Sequence, residues 1–281
     1  MQELSSPFER PADRVLQALT TPLPATPLVS VVMTVYNARP WLDAAIQSIL
    51  GQSWTSLELL VVDDCSTDGC REQIRSFARQ DPRVRPVWML SNSGTYLAKN
   101  AALRLVRGDV VTFMDSDDTC TQDRLEQQLA ALREDGVVAT TCNYERRTPD
   151  GRLVLNRGLP ARQALISLMV RRGVLDDVGG FDAVRHGADD EYFERIRTVY
   201  GRPAHRNVDA TLYQALVREG SLSNTTGSEY LIDLAQSGEL PPARAQYRQR
   251  FLAWHERLLA TGRHPYYPIR AGEHLPFCAR A

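Results

Sequence analysis

Leu57-Glu58-Leu59-Leu60-Val61-Val62-Asp63-Asp64-Cys65-Ser66-Thr67-Asp68-Gly69 is an apolar run that stops at two aspartates and a turn. Leu57 to Val62 is too short for a helix and reads as a buried strand. Ser66 to Gly69 then supplies capping chemistry for a helix carrying Ile74 and Phe77. Upstream, Leu28 to Val35 is a second β-branched run, followed by Pro40 at a helix start. Trp41, Leu42, Ala45, Ile46, Ile49 and Leu50 fall at helical spacing before Gly51. Downstream, a short strand is expected at Val84–Val87, then a helix with Leu97, Ala101, Leu103 and Val106. Gly108 leads into a fourth strand, Val110 to Met114, which ends in Asp115-Ser116-Asp117-Asp118.

Strand alternating with helix through short links predicts right-handed crossovers and an α/β fold with a mostly parallel central sheet flanked by helices. The pattern weakens after Val137–Cys142, and 143–158 reads as a hairpin or excursion turning at Pro149-Asp150-Gly151. Beyond Gly227 the chain reads as helical, with Tyr247, Phe251, Trp254 and Leu258 along one stripe. That stripe is expected to pack on the preceding domain; a homodimer through this helix, or membrane contact, is the alternative. The expected division is an N-terminal extension at 1–27, a domain at 28–226 split near 120, and a C-terminal helical extension and tail at 227–281.

A formal charge of -1 gives no whole-molecule field toward nucleic acid or an anionic membrane. Lys99 is the only lysine and lacks the glycine a phosphate-binding P-loop needs before it. Five cysteines with no C-x-x-C pair argue against a disulfide framework and a zinc knuckle, and favour a reducing compartment. Residues 1–27 hold Glu3, Glu9, Asp13 and five prolines, and do not read as a secretory signal. With no apolar run of membrane-spanning length, a cytoplasmic chain, at most peripheral to the inner face of a membrane, is expected.

The chemistry concentrates at strand ends. Asp64, Asp115, Asp117 and Asp118 on one rim would repel one another unless a cation sat among them. Hard oxygen donors without a nearby His or Cys select Mg²⁺ or Mn²⁺, which usually holds diphosphate oxygens. The alternative is an aspartate-rich turn that merely caps a helix beginning near Thr121.

Taken in order, Val29 to Asn37, Leu57 to Gly69, Asn92-Ser93-Gly94 with Ala98-Lys99-Asn100, and Gly108 to Asp118 closely resemble the family-2 glycosyltransferases over about 90 residues. The resemblance implies a GT-A fold and an inverting, metal-dependent transferase of hexosyltransferase type. It takes a nucleotide diphosphate sugar, a UDP-sugar first, and a hydroxyl acceptor on a glycan or lipid-linked glycan, in polysaccharide biosynthesis. It assigns Thr34, Tyr36, Asn37 and Asp64 to the nucleotide, with Tyr36 against the base. Asp115, Ser116 and Asp118 join the donor pocket, with Asp117 as direct ligand of Mn²⁺ or Mg²⁺ and Asp115 as a second. Lys99 stands where many relatives carry arginine, its alternative being a solvated helix charge; Asn92 and Gly94 would close over the nucleotide.

On the acceptor side, Gly179-Gly180-Phe181-Asp182 and Gly187 to Arg195 resemble the family's Glu-Asp element, with Ala188 in place of the glutamate. This implies Asp189 as the catalytic base, with Asp190 and Glu191 as alternatives, and Arg218 near the diphosphate. His186 and His205 are not expected to act as bases. Two other readings stay open: a nucleotide-sugar binding module impaired by Ala188, and a nucleotidyltransferase.

Overall fold

The computed structural model describes residues 6–155, 158–218 and 242–269. Within them the chain runs β1 (Glu9–Pro11), α1 (Gln17–Thr20), β2 (Val29–Val35), α2 (Arg39–Leu50), β3 (Leu57–Asp63), α3 (Cys70–Gln80), β4 (Val84–Trp88), α4 (Thr95–Leu103) and β5 (Val110–Asp115). There follow β6 (Thr119–Cys120), α5 (Arg124–Leu132), β7 (Ala139–Arg147), β8 (Leu153–Val154), β9 (Ala161–Arg171), α6 (Gly173–Val178) and α7 (Ala188–Tyr200). The last elements described are β10 (His205–Leu216), α8 (Pro242–Ala260) and β11 (Arg263–Pro265).

Every residue of β2 and β3 is buried, as a parallel sheet covered on both faces requires. Alternate side chains feed two cores. Val32, Leu60, Val62, Val111 and Phe113 face α4, α6 and α7. Val31, Met33, Leu59, Val61 and Met114 face α2, α3 and α5. Gly108 lies where the chain enters β5, and a β-carbon there would stand 2.6 Å from the Leu28 carbonyl oxygen. Only glycine allows that close approach.

The sheet order is β4-β3-β2-β5-β9-β7-β10-β6, with β8 paired to β7. The first half is parallel, as the sequence pattern predicts. The second half is mixed: β9 runs antiparallel to both β5 and β7, and β6 antiparallel to β10. The expected turn before Gly151 is present and joins β7 to β8. Strand β9, between β5 and β7, is an element the periodicity did not show, because its buried and half-buried positions do not alternate cleanly.

Both ends of the described chain return to the domain. β1 pairs antiparallel with β11, and the Asp177 carboxylate accepts the Ala18 amide at 3.1 Å. Phe251, Trp254 and Leu258 of the C-terminal stripe are buried, and α8 packs along α7. Among the described residues no helix is long and apolar enough to cross a membrane.

His205 shows how this packing couples to pH. Its Nε2 lies 2.8 Å from Thr141 Oγ1, and its ring meets the edge of Phe193. Burial, with Arg197 and Arg206 nearby, pushes its pKa from 6.5 down to about 4. The unfolded chain therefore binds the proton that the folded chain refuses. The His205 contribution is complete above about pH 6.5 and is lost as pH falls toward 4. The melting temperature should drop less between pH 7 and pH 5 in His205→Gln than in the parent; equal drops would remove His205 from the acid response.

Candidate active site at the sheet rim

β2 lies between β3 and β5, so the chain winds outward to β4 on one side and to β5 on the other. A crevice opens above the carboxyl ends of strands at such a switch point. Register brings Thr34 opposite both Val62 and Asp115. The separately quoted motifs therefore meet at one rim.

On the β3 side, the adjacent aspartates have different tasks. Asp63 is fully buried and pairs with Arg71 Nε at 2.6 Å, so it holds the loop's base. Asp64 accepts the amides of Ser93 and Gly94, both at 2.8 Å, and its carbonyl accepts the Asn92 side-chain amide at 3.3 Å. Asp64 thus fastens the 92–94 loop over the rim. Asn37, at φ 49°, accepts the Thr67 amide on its side chain and donates its own amide to Ser66 Oγ. Thr34 Oγ1 meets Thr95 Oγ1 at 2.9 Å, at the start of α4. Tyr36 is 51% exposed and open at the mouth.

The acidic loop after β5 is likewise divided. Asp118 is buried, accepting the Tyr213 hydroxyl and the Leu216 amide, each at 2.8 Å. Burial, with Asp115 and Asp117 close by, pushes its pKa well up. It fixes the loop to β10, and Ser116 is buried beside it. Asp117 Oδ2 accepts Arg218 Nε at 2.7 Å, while the Arg218 guanidinium lies 4.1 Å from the centre of the Trp41 ring. The side chain of Asp115 is 42% exposed and 4.0 Å from Lys99 Nζ. Lys99 is buried among the rings of Tyr96, Phe113 and Phe181. The alternative of a solvated helix charge is therefore excluded for Lys99, and Asp115 is its counter-charge.

The fit of this loop to a divalent ion follows from its donors. Among the described residues no three His, Cys, Asp or Glu side chains form a cage. Mg²⁺-type sites commonly use one or two carboxylates and take their other oxygens from substrate phosphates and water. Asp117, with one oxygen on Arg218, and the half-exposed Asp115 match that donor set, whereas Asp118 has both oxygens committed, to Tyr213 and Leu216.

On the opposite wall, three consecutive acids open α7 behind Gly187, which sits at φ 85°. Asp189 Oδ1 accepts the Tyr96 hydroxyl at 2.8 Å. It lines one small hollow with Lys99, Phe113, Leu165 and Phe181. Asp115 is near enough to feel the charge of both Asp189 and Asp117. Burial and the Asp189 charge push the Tyr96 phenol well up, so it stays a proton donor. Asp190 instead turns to an ion pair with Arg248 of α8.

Glu191 is corrected as a candidate base. It is fully buried between Arg195 and His255 Nε2, the latter at 3.0 Å. Burial alone would raise its pKa, but Arg195 and His255 take it down to about 2. Ala188, in place of the expected glutamate, is buried in the core and leaves Asp189 in position. His205 packs in the sheet and His186 is exposed, so neither joins the site.

The structure adds Tyr96, Tyr213 and Trp41 to the site. Tyr96 lies three residues before Lys99 on one helix face, a spacing that could have exposed it. Tyr213 gave no such signal, because its partners Asp115 and Asp118 are nearly a hundred residues away.

Residues 30–193 match the family model for Glycosyl transferase family 2. TuaG of Bacillus subtilis, a glycosyltransferase named for teichuronic acid biosynthesis, is 39% identical over 125 residues, covering 44% of this chain and 50% of that protein. This chain spans about half the length of the curated relatives it matches first. Staphylococcus aureus TarS 1–349, solved with UDP-GlcNAc, superposes at TM-score 0.59 with 22% identity, over 82% of this chain and 71% of that one. The mannosyltransferase PcManGT of Pyrobaculum calidifontis, solved with GDP-Man and Mn²⁺, gives TM-score 0.55 and 21% identity over 98% of this chain and 70% of its own. These likenesses carry the fold, which is GT-A. Since the family match runs from the first rim strand to the first turns of the helix bearing Asp189, and covers more than half of the chain, the protein belongs to glycosyl transferase family 2.

Proposed function

We propose that this chain transfers a sugar, with inversion, from a nucleoside diphosphate donor to a hydroxyl group on a glycan or lipid-linked glycan. One observation carries the reading: Asp189, held by Tyr96, faces the hollow that also receives Lys99 at the edge of the acidic loop. The donors seen in the solved relatives, UDP-GlcNAc in TarS and GDP-Man with Mn²⁺ in PcManGT, support a nucleotide sugar here. A lipid-linked acceptor would place the chain at the inner face of a membrane, in polysaccharide synthesis of the kind for which TuaG is named.

In this reading Asp189 takes the proton of the acceptor hydroxyl as its oxygen bonds to the sugar's anomeric carbon. The bond from that carbon to the diphosphate breaks on the opposite face. Tyr96 keeps one Asp189 oxygen engaged and leaves the other for the acceptor hydroxyl. Asp117 and Asp115 would hold Mg²⁺ or Mn²⁺, which neutralises charge on the departing diphosphate. Lys99 balances Asp115, and Arg218, now paired with Asp117, would exchange it for diphosphate oxygen. Asp64 shapes the loop that closes on the nucleotide, and Tyr36 offers its open face to the base.

The test is calorimetric binding of UDP, GDP, CDP and dTDP with and without Mn²⁺. One of them should bind more tightly with the ion. Asp117→Ala should remove that gain, at least the about 10- to 100-fold typical of disturbing a metal site. Identical affinities in the parent and in Asp117→Ala, with and without Mn²⁺, would remove the metal from this reading. Release of nucleoside diphosphate from a nucleotide sugar, with no pyrophosphate released from a nucleoside triphosphate plus sugar phosphate, separates transfer from nucleotidyl chemistry.

A further inference from the structure

The family match stops at residue 193, yet the helix that bears Asp189 is gripped by α8, well beyond it. Arg248 pairs with Asp190 and reaches Glu194 Oε1 at 3.3 Å. His255 Nε2 lies 3.0 Å from Glu191 Oε1, so α8 engages three acids along α7. The Tyr247 hydroxyl donates to Asp182 at 2.9 Å, and its ring would lie 3.5 Å from a β-carbon on Gly187. Behind these polar contacts Phe251 and Trp254 are buried.

The first turn of α7 needs such a grip. Its N-cap is Gly187 in the left-handed region, which has no side chain of its own to accept the free amides of that turn. Contacts from neighbouring elements therefore share in fixing that turn. Successive side chains on a helix diverge by about 100°, so the direction of Asp190 dictates that of Asp189. With Asp190 drawn toward α8, Asp189 is turned toward α4 and Tyr96.

We propose that Arg248 is a positioning residue that acts through Asp190 to set the rotation of the first turn of α7. It thereby aims Asp189 into the hollow, an inference that rests on Asp189 being the base. The C-terminal helix, outside the segment shared with the family, thus completes the catalytic geometry.

The experiment measures nucleoside diphosphate release from UDP-GlcNAc and GDP-mannose by the full chain with Mn²⁺, in parallel for five variants. Arg248→Ala should lower kcat by about 10- to 100-fold, the cost of misplacing a reacting group by an ångström. The KM for donor should stay within about twofold, because the donor pocket is untouched. Arg248→Lys should recover most of the loss. Asp190→Asn, nearly isosteric and free of packing change, should reproduce it, and Arg248→Ala with Asp190→Asn should be no worse than either alone. Parent-like kcat in Asp190→Asn overturns the inference even if Arg248→Ala fails to fold, as do additive losses in the double variant. Asp189→Asn separates the two levels. If it is inactive while Arg248→Ala and Asp190→Asn run at the parent rate, only the positioning role fails. If Asp189→Asn itself turns over normally, the assignment of the base fails.

Discussion

Asp189→Asn is expected to lower the rate of sugar transfer by about 10²- to 10⁴-fold, the range supplied by a placed general base. The change is nearly isosteric and leaves an oxygen to accept the Tyr96 hydroxyl. What it removes is the affinity for a proton at the point where the acceptor oxygen sheds one. Nucleoside diphosphate affinity should remain within about twofold, since Asp64, Asp117 and the 92–94 loop lie on the other wall. Rates of nucleoside diphosphate release, set beside calorimetric affinities, check both halves. A variant that turns over like the parent would show that the proton leaves by another route.

The second large effect concerns stability. Arg195 is fully buried, forms a two-point pair with Glu191, and donates to the carbonyls of Val178 and Gly180 at 2.7 and 2.8 Å. Arg195→Ala leaves a buried carboxylate facing only His255, and two carbonyls without their donor. The expected loss is about 3–5 kcal/mol, against a total of about 5–15 kcal/mol for a typical domain. Urea midpoints at pH 7 should show it. The Glu191 pKa lies near 2, below its usual 4.5, so the pair's contribution is complete above about pH 4.5 and fades as pH falls toward 2. The penalty of Arg195→Ala should therefore shrink in acid. Replacing both partners by apolar residues should recover part of the loss, but not the share owed to the two carbonyls. A midpoint unchanged by Arg195→Ala would mean that the cluster contributes nothing to the fold.

The parallel half of the sheet was legible because its evidence is local. β2, β3 and β5 are apolar runs broken by turn residues, and burial on both faces leaves no other use for such runs. The acids at their ends were legible for the same reason. The antiparallel β9 was not, because its burial does not alternate and one of its two neighbours, β5, lies more than fifty residues away, as in the pairing of Thr112 with Met169. The early segment at 9–11 gave no hint that it would pair with 263–265.

By itself, the order of residues determined the class of fold, the rim where polar chemistry gathers, and the short set of acids able to act there. What each acid touches was decided only in three dimensions. Asp189, Asp190 and Glu191 are three adjacent carboxylates on one helical turn, equivalent as letters. Their partners from other elements, Tyr96, Arg248 and His255, stand 93, 58 and 64 residues away and come from two different helices. A helix fans neighbouring side chains toward different surroundings, so burial and the charge across each contact assign one to the hollow, one to α8 and one to the core.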